Sequence, residues 1–482
     1  MSRPTTQSLR AIALALLLPA VLAHAQGVPG SDAPVAEAPA TASADVTTDA
    51  QLPADDAAEA DAGAEAVRLA LESAATHLAA GRASAALEAL RPVEAVEPDN
   101  PWLWFYRGVA EYQLNEPYRA MDAFDRAAEI LRELGDPDPD LAFKIRQHRR
   151  EARLQTFRIN LQTGIAYDTN VTFLGSGAVS PGQISGEPDG KFFTPAQIDY
   201  APIANSREAL AFGARVASTW NFSVEQFNFQ DYGAYVRYTR RLDEHWQAAI
   251  QYDYDFMYLG NDPYLSHHAI TPSLSYLWSS PPTAAFRPDT TKLSYRFQDQ
   301  EFLFRTSRAF DQDNTGHGVG IEQTFKWRPI ANVNWTWDLS VGYFFDSIFT
   351  DGSEFARREH NFFAGLAVPL IDPADPTKYL LIPDKELVFR FGAQWQIGRY
   401  RNRSIIDHDH DRRHDYITTL NFGLSQTLLK DVDYGDLVLH GLISWTDADS
   451  NSTVQSRNFP YRRSSSFTYD KVVYGLQLEW TW

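Results

Sequence analysis

Apolar and polar residues alternate along most of this chain from Gln155 onward, and the last strand shows it most plainly. In Lys471–Trp482, Val472, Tyr474, Leu476, Leu478, Trp480 and Trp482 share one face, while Val473, Gly475, Gln477, Glu479 and Thr481 share the other. Side chains of a strand point to opposite faces with period two, so one side is apolar and the other mostly polar or small. The same alternation runs through Trp246–Tyr258, where Ala248, Ile250, Tyr252, Tyr254 and Phe256 oppose Gln247, Gln251, Asp253 and Asp255. It recurs in Leu293–Phe297 against Lys292 and Arg296, in Leu387–Ile397 against Arg390, and in Leu437–Trp445 against His440.

Thirteen such segments can be traced, near 155–172, 207–220, 228–242, 245–258, 267–279, 290–303, 316–329, 333–347, 358–370, 386–400, 413–429, 437–448 and 466–482. A soluble solenoid would show a short fixed repeat and fewer aromatics, and no such period is present. Apolar faces turned to hydrocarbon and polar faces to an interior describe a transmembrane antiparallel barrel, the one sheet that can cross a bilayer with its backbone satisfied. An even strand number is needed. Fourteen is expected, with a hidden strand around Asn221–Asp231; twelve follows if 207–242 is one strand with an extended hairpin. Turn lengths orient the barrel: the short Leu242–His245 faces the periplasm and the long Phe173–Ser206 loop faces outward. Ser280–Asp289 and Ile371–Lys385 are long for the periplasmic side and could meet the preceding domain.

Before the strands the period changes. Met1–Ala25 reads as a secretory signal, with Arg3 and Arg10, an apolar run Ala11–Leu22 and the cleavage pattern Ala23-His24-Ala25. Residues 26–63 are rich in Ala, Pro, Asp, Ser and Thr and are expected to stay disordered. From Ala64 to Leu154 the pattern is helical, and one layout recurs after 34 residues: Ala74 aligns with Gly108, Ala86 with Ala120, Leu90 with Phe124 and Val93 with Ala127. Residues 139–154 add a further helix with Arg146, Arg149, Arg150 and Arg153 on one face.

Composition narrows the function classes. The formal net charge is −19, and Ser31–Ala66 holds nine acidic residues and no basic one. That balance argues against a nucleic-acid partner. With no cysteine, thiol catalysis, disulfides and a lipidated cysteine are excluded. Ten of twelve tryptophans lie from Trp220 onward, as interfacial aromatic belts require.

Candidate chemistry is sparse. Asp407-His408-Asp409-His410-Asp411 with His414 and Asp415 offers oxygen and imidazole ligands. The segment reads as an exposed loop, and no metal is assigned. Paired carboxylates such as Asp253 with Asp255 are expected of any water-filled interior. No phosphate loop, nucleophile elbow or zinc motif occurs, so neither an enzyme nor a cofactor is expected. Arg237, Asp253, Asp255, Lys292, Arg296, Arg390, His440 and Glu479 are the expected lumen-lining charges. Their signs are mixed, so no ion selectivity follows.

Gly475, Leu478, Trp480 and Trp482 resemble the C-terminal barrel-assembly signal of bacterial outer-membrane proteins, which end in alternating hydrophobics and a terminal Phe or Trp. Trp104, Gly108, Ala120, Phe124 and Ala127 resemble the tetratricopeptide pattern. Together with Tyr167-Asp168-Thr169-Asn170-Val171, this order of parts resembles the surface lipoprotein assembly modulator family. The resemblance implies a periplasmic repeat domain that receives a client protein, with Trp102, Trp104 and Tyr112 as client-binding candidates. It also implies an outer-membrane barrel of about fourteen strands, with membrane lipid and the barrel-assembly machinery as partners. An exopolysaccharide exporter and a passive porin with a docking module are the alternatives.

Overall fold

The computed structural model describes residues 57–482 apart from 136–137, 172–187, 280–283, 304–312, 329–335, 371–385, 404–411, 452–453, 456–462 and 465–467. The signal segment, most of the acidic linker, the Ile371–Lys385 connection and Asp407–Asp411 therefore lie outside the described residues. Two compact units form: one of residues Ile159–Asp199 and Ala211–Trp482, the other of the helices up to Arg158 together with Tyr200–Leu210.

The helices are α1 (Ala57–Ala79), α2 (Ala83–Val96), α3 (Pro101–Gln113), α4 (Pro117–Glu133) and α5 (Pro139–Thr156). Thus α1 starts inside the stretch expected to be disordered. Three helices open on proline, whose fixed φ suits a first turn and whose missing N–H would be unpaired there anyway. Asn100 and Asp138 cap two of them by accepting backbone N–H groups. The breaks between helices use left-handed residues at Gly81, Asn115 and Gly135. Successive helices pack in order, burying Ala74, Ala86, Leu90 and Val93, and at the aligned positions Gly108, Ala120, Phe124 and Ala127. A Cβ on Gly108 would stand 2.5 Å from the Phe124 ring, so that seam admits only glycine.

In this unit the hairpin Tyr200–Leu210 is read by the break before α4. Tyr118 donates to the Ala201 carbonyl at 2.6 Å, and Asn115 to that of Asn205 at 3.1 Å. Glu116 accepts the Ser206 hydroxyl at 2.7 Å and its N–H at 3.2 Å.

The other unit is a closed antiparallel sheet. Its strands are β1 (Phe157–Asp168), β2 (Asp189–Phe193), β3 (Ala196–Ala204), β4 (Glu208–Asn221), β5 (Phe229–Arg241), β6 (Trp246–Leu259) and β7 (Asp262–Leu277). They continue as β8 (Phe286–Phe302), β9 (Asn314–Trp327), β10 (Trp337–Thr350), β11 (Arg357–Pro369), β12 (Leu387–Arg403), β13 (Arg412–Asp431) and β14 (Gly435–Ser450). A small pair, β15 (Val454–Gln455) and β16 (Arg463–Ser464), stands apart, and β17 (Tyr469–Thr481) completes the wall. Each wall strand pairs with its neighbour in sequence, and β1 pairs with β17 from Asn160↔Thr481 to Asp168↔Val473. Because β2 and β3 share one position between β1 and β4, the ring has fourteen strands. The end carrying Phe157 and Trp482 is the near end below; the opposite one is the far end.

The fourteenth strand is not where the sequence suggested. Residues 222–228 form a turn between β4 and β5 with a short 3-10 helix at Glu225–Phe227, whereas 189–204, expected within an outward loop, enters the wall. Pro195 hides that strand: it has no N–H for the ladder, and the pairing continues through its carbonyl, which accepts from Gln162 at 2.8 Å.

Outer and inner faces differ in kind. Leu476 is 55% exposed and Ile165 56%, whereas Asp168 on the other face is 1% exposed. Aromatics crowd the near end of the outer face, with Trp246–Tyr276 at 5.0 Å, Tyr276–Trp278 at 4.8 Å and Trp327–Trp337 at 5.0 Å. Trp480 and Trp482 join them, donating indole N–H groups to the Tyr434 and Asp433 carbonyls at 2.6 and 3.3 Å. No helix among the described residues is long and apolar enough to cross a membrane.

Candidate functional site

The inner face of the barrel is built around ion pairs that skip a strand. Arg296 on β8, Gly318 on β9 and Asp346 on β10 stand directly opposite one another, and the guanidinium reaches both carboxylate oxygens at 3.0 and 2.9 Å. Arg215 on β4 reaches Asp255 on β6 in the same way across Gly233. A Cβ at either glycine would run into the carboxylate. Glycines also seat aromatic rings: Phe193 lies over Gly164, Tyr235 over Gly213, Phe344 over Gly320 and Phe363 over Gly342.

The expected lumen residues share this face. Asp255 is buried and also meets His267 Nδ1 at 3.2 Å. Arg237 donates to Gln251 at 2.6 Å, and Gln251 in turn to Asp253 at 2.7 Å. Lys292 stands opposite Glu322, and Arg390 opposite Gly423. Ser425, His440 and Glu479 form a chain across β13, β14 and β17, at 2.8 Å from the serine hydroxyl to Nδ1 and 3.0 Å from Nε2 to the carboxylate. Asn160 on β1 donates to Glu479 at 2.5 Å and carries the chain over the closing seam. Serine, histidine and carboxylate are also the parts of a nucleophile relay. Here Ser425 is buried, so its hydroxyl is packed into the wall, and the chain acts as a bracket holding four strands.

Toward the far end the polar groups become denser and more deeply buried. Asp168 accepts Lys191 at 3.0 Å and Lys471 at 2.8 Å, tying β1, β2 and β17. Arg413 pairs with Asp415 at 2.6 Å, and Asp415 accepts the Ser450 hydroxyl at 2.7 Å. Arg357 pairs with Glu359, two residues along the same strand, β11. Across the ring, Met257, Leu259, Tyr264, Leu265 and Phe302 form a buried apolar cluster. One charge is rarely left bare on this wall, since an unpaired buried charge would be far more costly than a paired one.

In the helical unit, the Trp102 ring lies 5.8 Å from Phe105 and 5.6 Å from Tyr106, with Lys144 above it. Trp104 donates to the Pro98 carbonyl at 2.7 Å. Tyr112 is half-buried, and burial followed by the Glu151 charge raises its pKa. All three pack between helices while keeping a partly exposed edge. No group of three potential metal ligands exists among the described residues. Of the metal candidates, His414 lies on the outer face beside Arg399, and Asp415 is held by Arg413.

Sequence reasoning missed the acidic and basic partners Asp346 and Arg215, because a pair that skips a strand has no signature in spacing. It also missed a repeated outer-face unit. Tyr252 with His268, Tyr295 with His317, and Tyr343 with His360 pair hydroxyl to Nδ1 at 2.8, 2.5 and 2.8 Å in three successive far-end hairpins. In each, an aromatic two residues beyond the tyrosine stands opposite the histidine. The signal was present as Tyr-x-aromatic on each outgoing strand.

No protein-family model matches this chain, and no curated protein matches it. Among solved structures it is similar to a bacterial polysaccharide outer-membrane secretin at 12% identity and TM-score 0.33, covering 67% of this chain and 98% of that one. It is similar to CdiB from Acinetobacter baumannii at 10% identity and TM-score 0.33, covering 67% of this chain and 60% of that one. An anion-selective porin from Comamonas acidovorans aligns at 8% identity and TM-score 0.33, covering 68% of this chain and 99% of that one.

Proposed function

We propose that the chain is an outer-membrane channel or translocator whose helical unit works in the periplasm and hands a client protein to the barrel for export or surface display. The observation that supports it best is the sorting of side chains on a closed ring, with apolar residues outside and paired charges and glycine-seated aromatics inside. Such a ring buries its apolar surface in hydrocarbon and keeps a wet polar path. Bacterial barrels place the ends of the barrel on the periplasmic side, and on that rule the near end is the periplasmic one. Trp102, Trp104 and Tyr112 then serve as anchors for the client, in keeping with the few aromatic contacts that dominate such interfaces. The assembly machinery would recognise Gly475, Leu478, Trp480 and Trp482.

Deleting residues 64–153 tests this. The barrel should still assemble, and surface display of the client should be lost. The rings of Phe193, Tyr235, Phe344 and Phe363 favour a second reading, because sugars stack on flat aromatic faces. If the deletion instead removes secreted polysaccharide and leaves surface proteins unchanged, the exporter reading replaces the first. A purified barrel that conducts ions freely in planar bilayers, with both phenotypes absent, would indicate a passive porin.

A further inference from the structure

The outer face is not uniformly apolar. Along one hydrogen-bonding row over five strands, β9 to β13, stand His317, Ser347, Arg358, Arg399 and His414, each directly opposite the next. The next row toward the near end is Val319, Phe345, His360, Ile397 and Tyr416, so the basic row borders the apolar belt. Ser347 lies ten residues beyond Trp337 on β10. At about 3.3 Å per residue and a tilt of about 40°, that is roughly 25 Å along the barrel axis, the height of an apolar band. The row therefore stands at the far-side interface.

Arg401 joins it from above. Its guanidinium lies 4.1 Å over the Phe349 ring and donates to Ser347 Oγ at 2.5 Å, while its buried Nε has no partner among the described residues. Arg358 and Arg399 face each other directly on neighbouring strands, an arrangement that repels unless an anion lies between them. Neither has an ion-pair or hydrogen-bond partner among the described residues. Among the described strand residues, carboxylates on this face stand to the sides, Asp299 and Glu301 on β8 and Asp447 and Asp449 on β14, and leave the centre to the cations.

We propose that this row binds the phosphate groups of a phosphorylated lipid in the outer leaflet. Guanidinium forks match phosphate oxygens in pairs, and the aromatic rows beneath would lie along the acyl chains. The proposal rests on the reading of the chain as an outer-membrane barrel.

The test uses the full-length protein purified in detergent, with diphosphoryl lipid A, the same lipid with its phosphates removed, and inorganic phosphate as probes. Wild type should retain diphosphoryl lipid A, and the triple variant R358Q/R399Q/R401Q should bind it at least tenfold more weakly. R240Q, at the near end of the same face, should bind like wild type, and R399K should retain most of the binding. Slower migration after boiling verifies that each variant is folded; should the triple variant fail that check, R399Q alone is read against R399K. Equal binding of the dephosphorylated lipid, or unchanged binding by the triple variant, overturns the proposal. Displacement of lipid A by equimolar inorganic phosphate overturns it as well, in favour of a free-phosphate site. A wild-type chain that needs no detergent and migrates identically before and after boiling defeats the membrane reading, and this proposal with it. A chain that passes that check yet ignores the lipid phosphates defeats this proposal alone.

Discussion

Arg296 reaches Asp346 two strands away at 3.0 and 2.9 Å only because Gly318, directly between them, has no side chain. Asp346 is almost fully buried, so its charge depends on that guanidinium. Arg296→Met should cost about 3–5 kcal/mol, the range for stripping a buried ion of its partner. The readout is the urea midpoint of the folded barrel in detergent. Adding Asp346→Leu should recover most of the loss, and a single-variant loss below about 1 kcal/mol would show that the pair is not a structural tie.

Gly108 faces the fully buried ring of Phe124, with no room for a Cβ. Gly108→Val gains little helix propensity and overpacks the seam by three carbon atoms, an error that costs about 1–3 kcal/mol. Helical melting followed by far-ultraviolet circular dichroism should move to lower temperature while the boiling-dependent mobility of the barrel stays unchanged. A coupled loss of both would show that the two units fold as one.

Asp243, in the turn between β5 and β6, accepts backbone N–H groups of His245 and Trp246, both at 2.7 Å. Those bonds, the His245 one first, hold its carboxyl below the ordinary range. A carboxylate with a depressed folded-state pKa stabilises above its unfolded value and loses that contribution as pH falls through the folded one. Wild type should therefore exceed Asp243→Ala in urea midpoint at pH 6, with the gap closing below about pH 4. A gap independent of pH would assign the effect to turn geometry instead of charge.

Trp482 closes the ring through two backbone bonds with Ile159, at 2.9 and 2.7 Å, and its indole reaches Asp433. Removing Trp482 deletes all three, about 1 kcal/mol net for each. The yield of heat-modifiable barrel should fall severalfold, with Trp482→Phe close to wild type because its backbone pairs are kept. An undiminished yield after the deletion would rule out a role for this residue in closure.

How much of this was legible beforehand varied with how local the signal is. The outer wall of β6, β12 and β17 was readable because Ile250, Trp395 and Leu476 sit at every second position, a pattern that hydrocarbon imposes strand by strand. The β2–β3 strand was not, because Phe193 and Pro195 fall on its inner face and break the alternation. Phe193 is tolerated there by Gly164, a residue on another strand. The same applies to the inner face as a whole. Arg296 could be listed as a polar position, but its partner fifty residues away depended on a glycine register that only folding sets. The basic outer row was equally hidden, since Arg358, Arg399 and His414 meet only after three strands have aligned.

The pairing of β1 with β17 has a consequence for how the chain is made. The first strand's partner, β17, lies at the other end of the ring's chain order, so the edge of β1 stays uncovered until every strand between them has been made. Until β17 is in place, every intermediate carries open backbone edges and bare greasy surface together, the combination most prone to sticking to other chains. Closure of the ring is therefore a single event that waits for β17, and not one spread over the strands in turn.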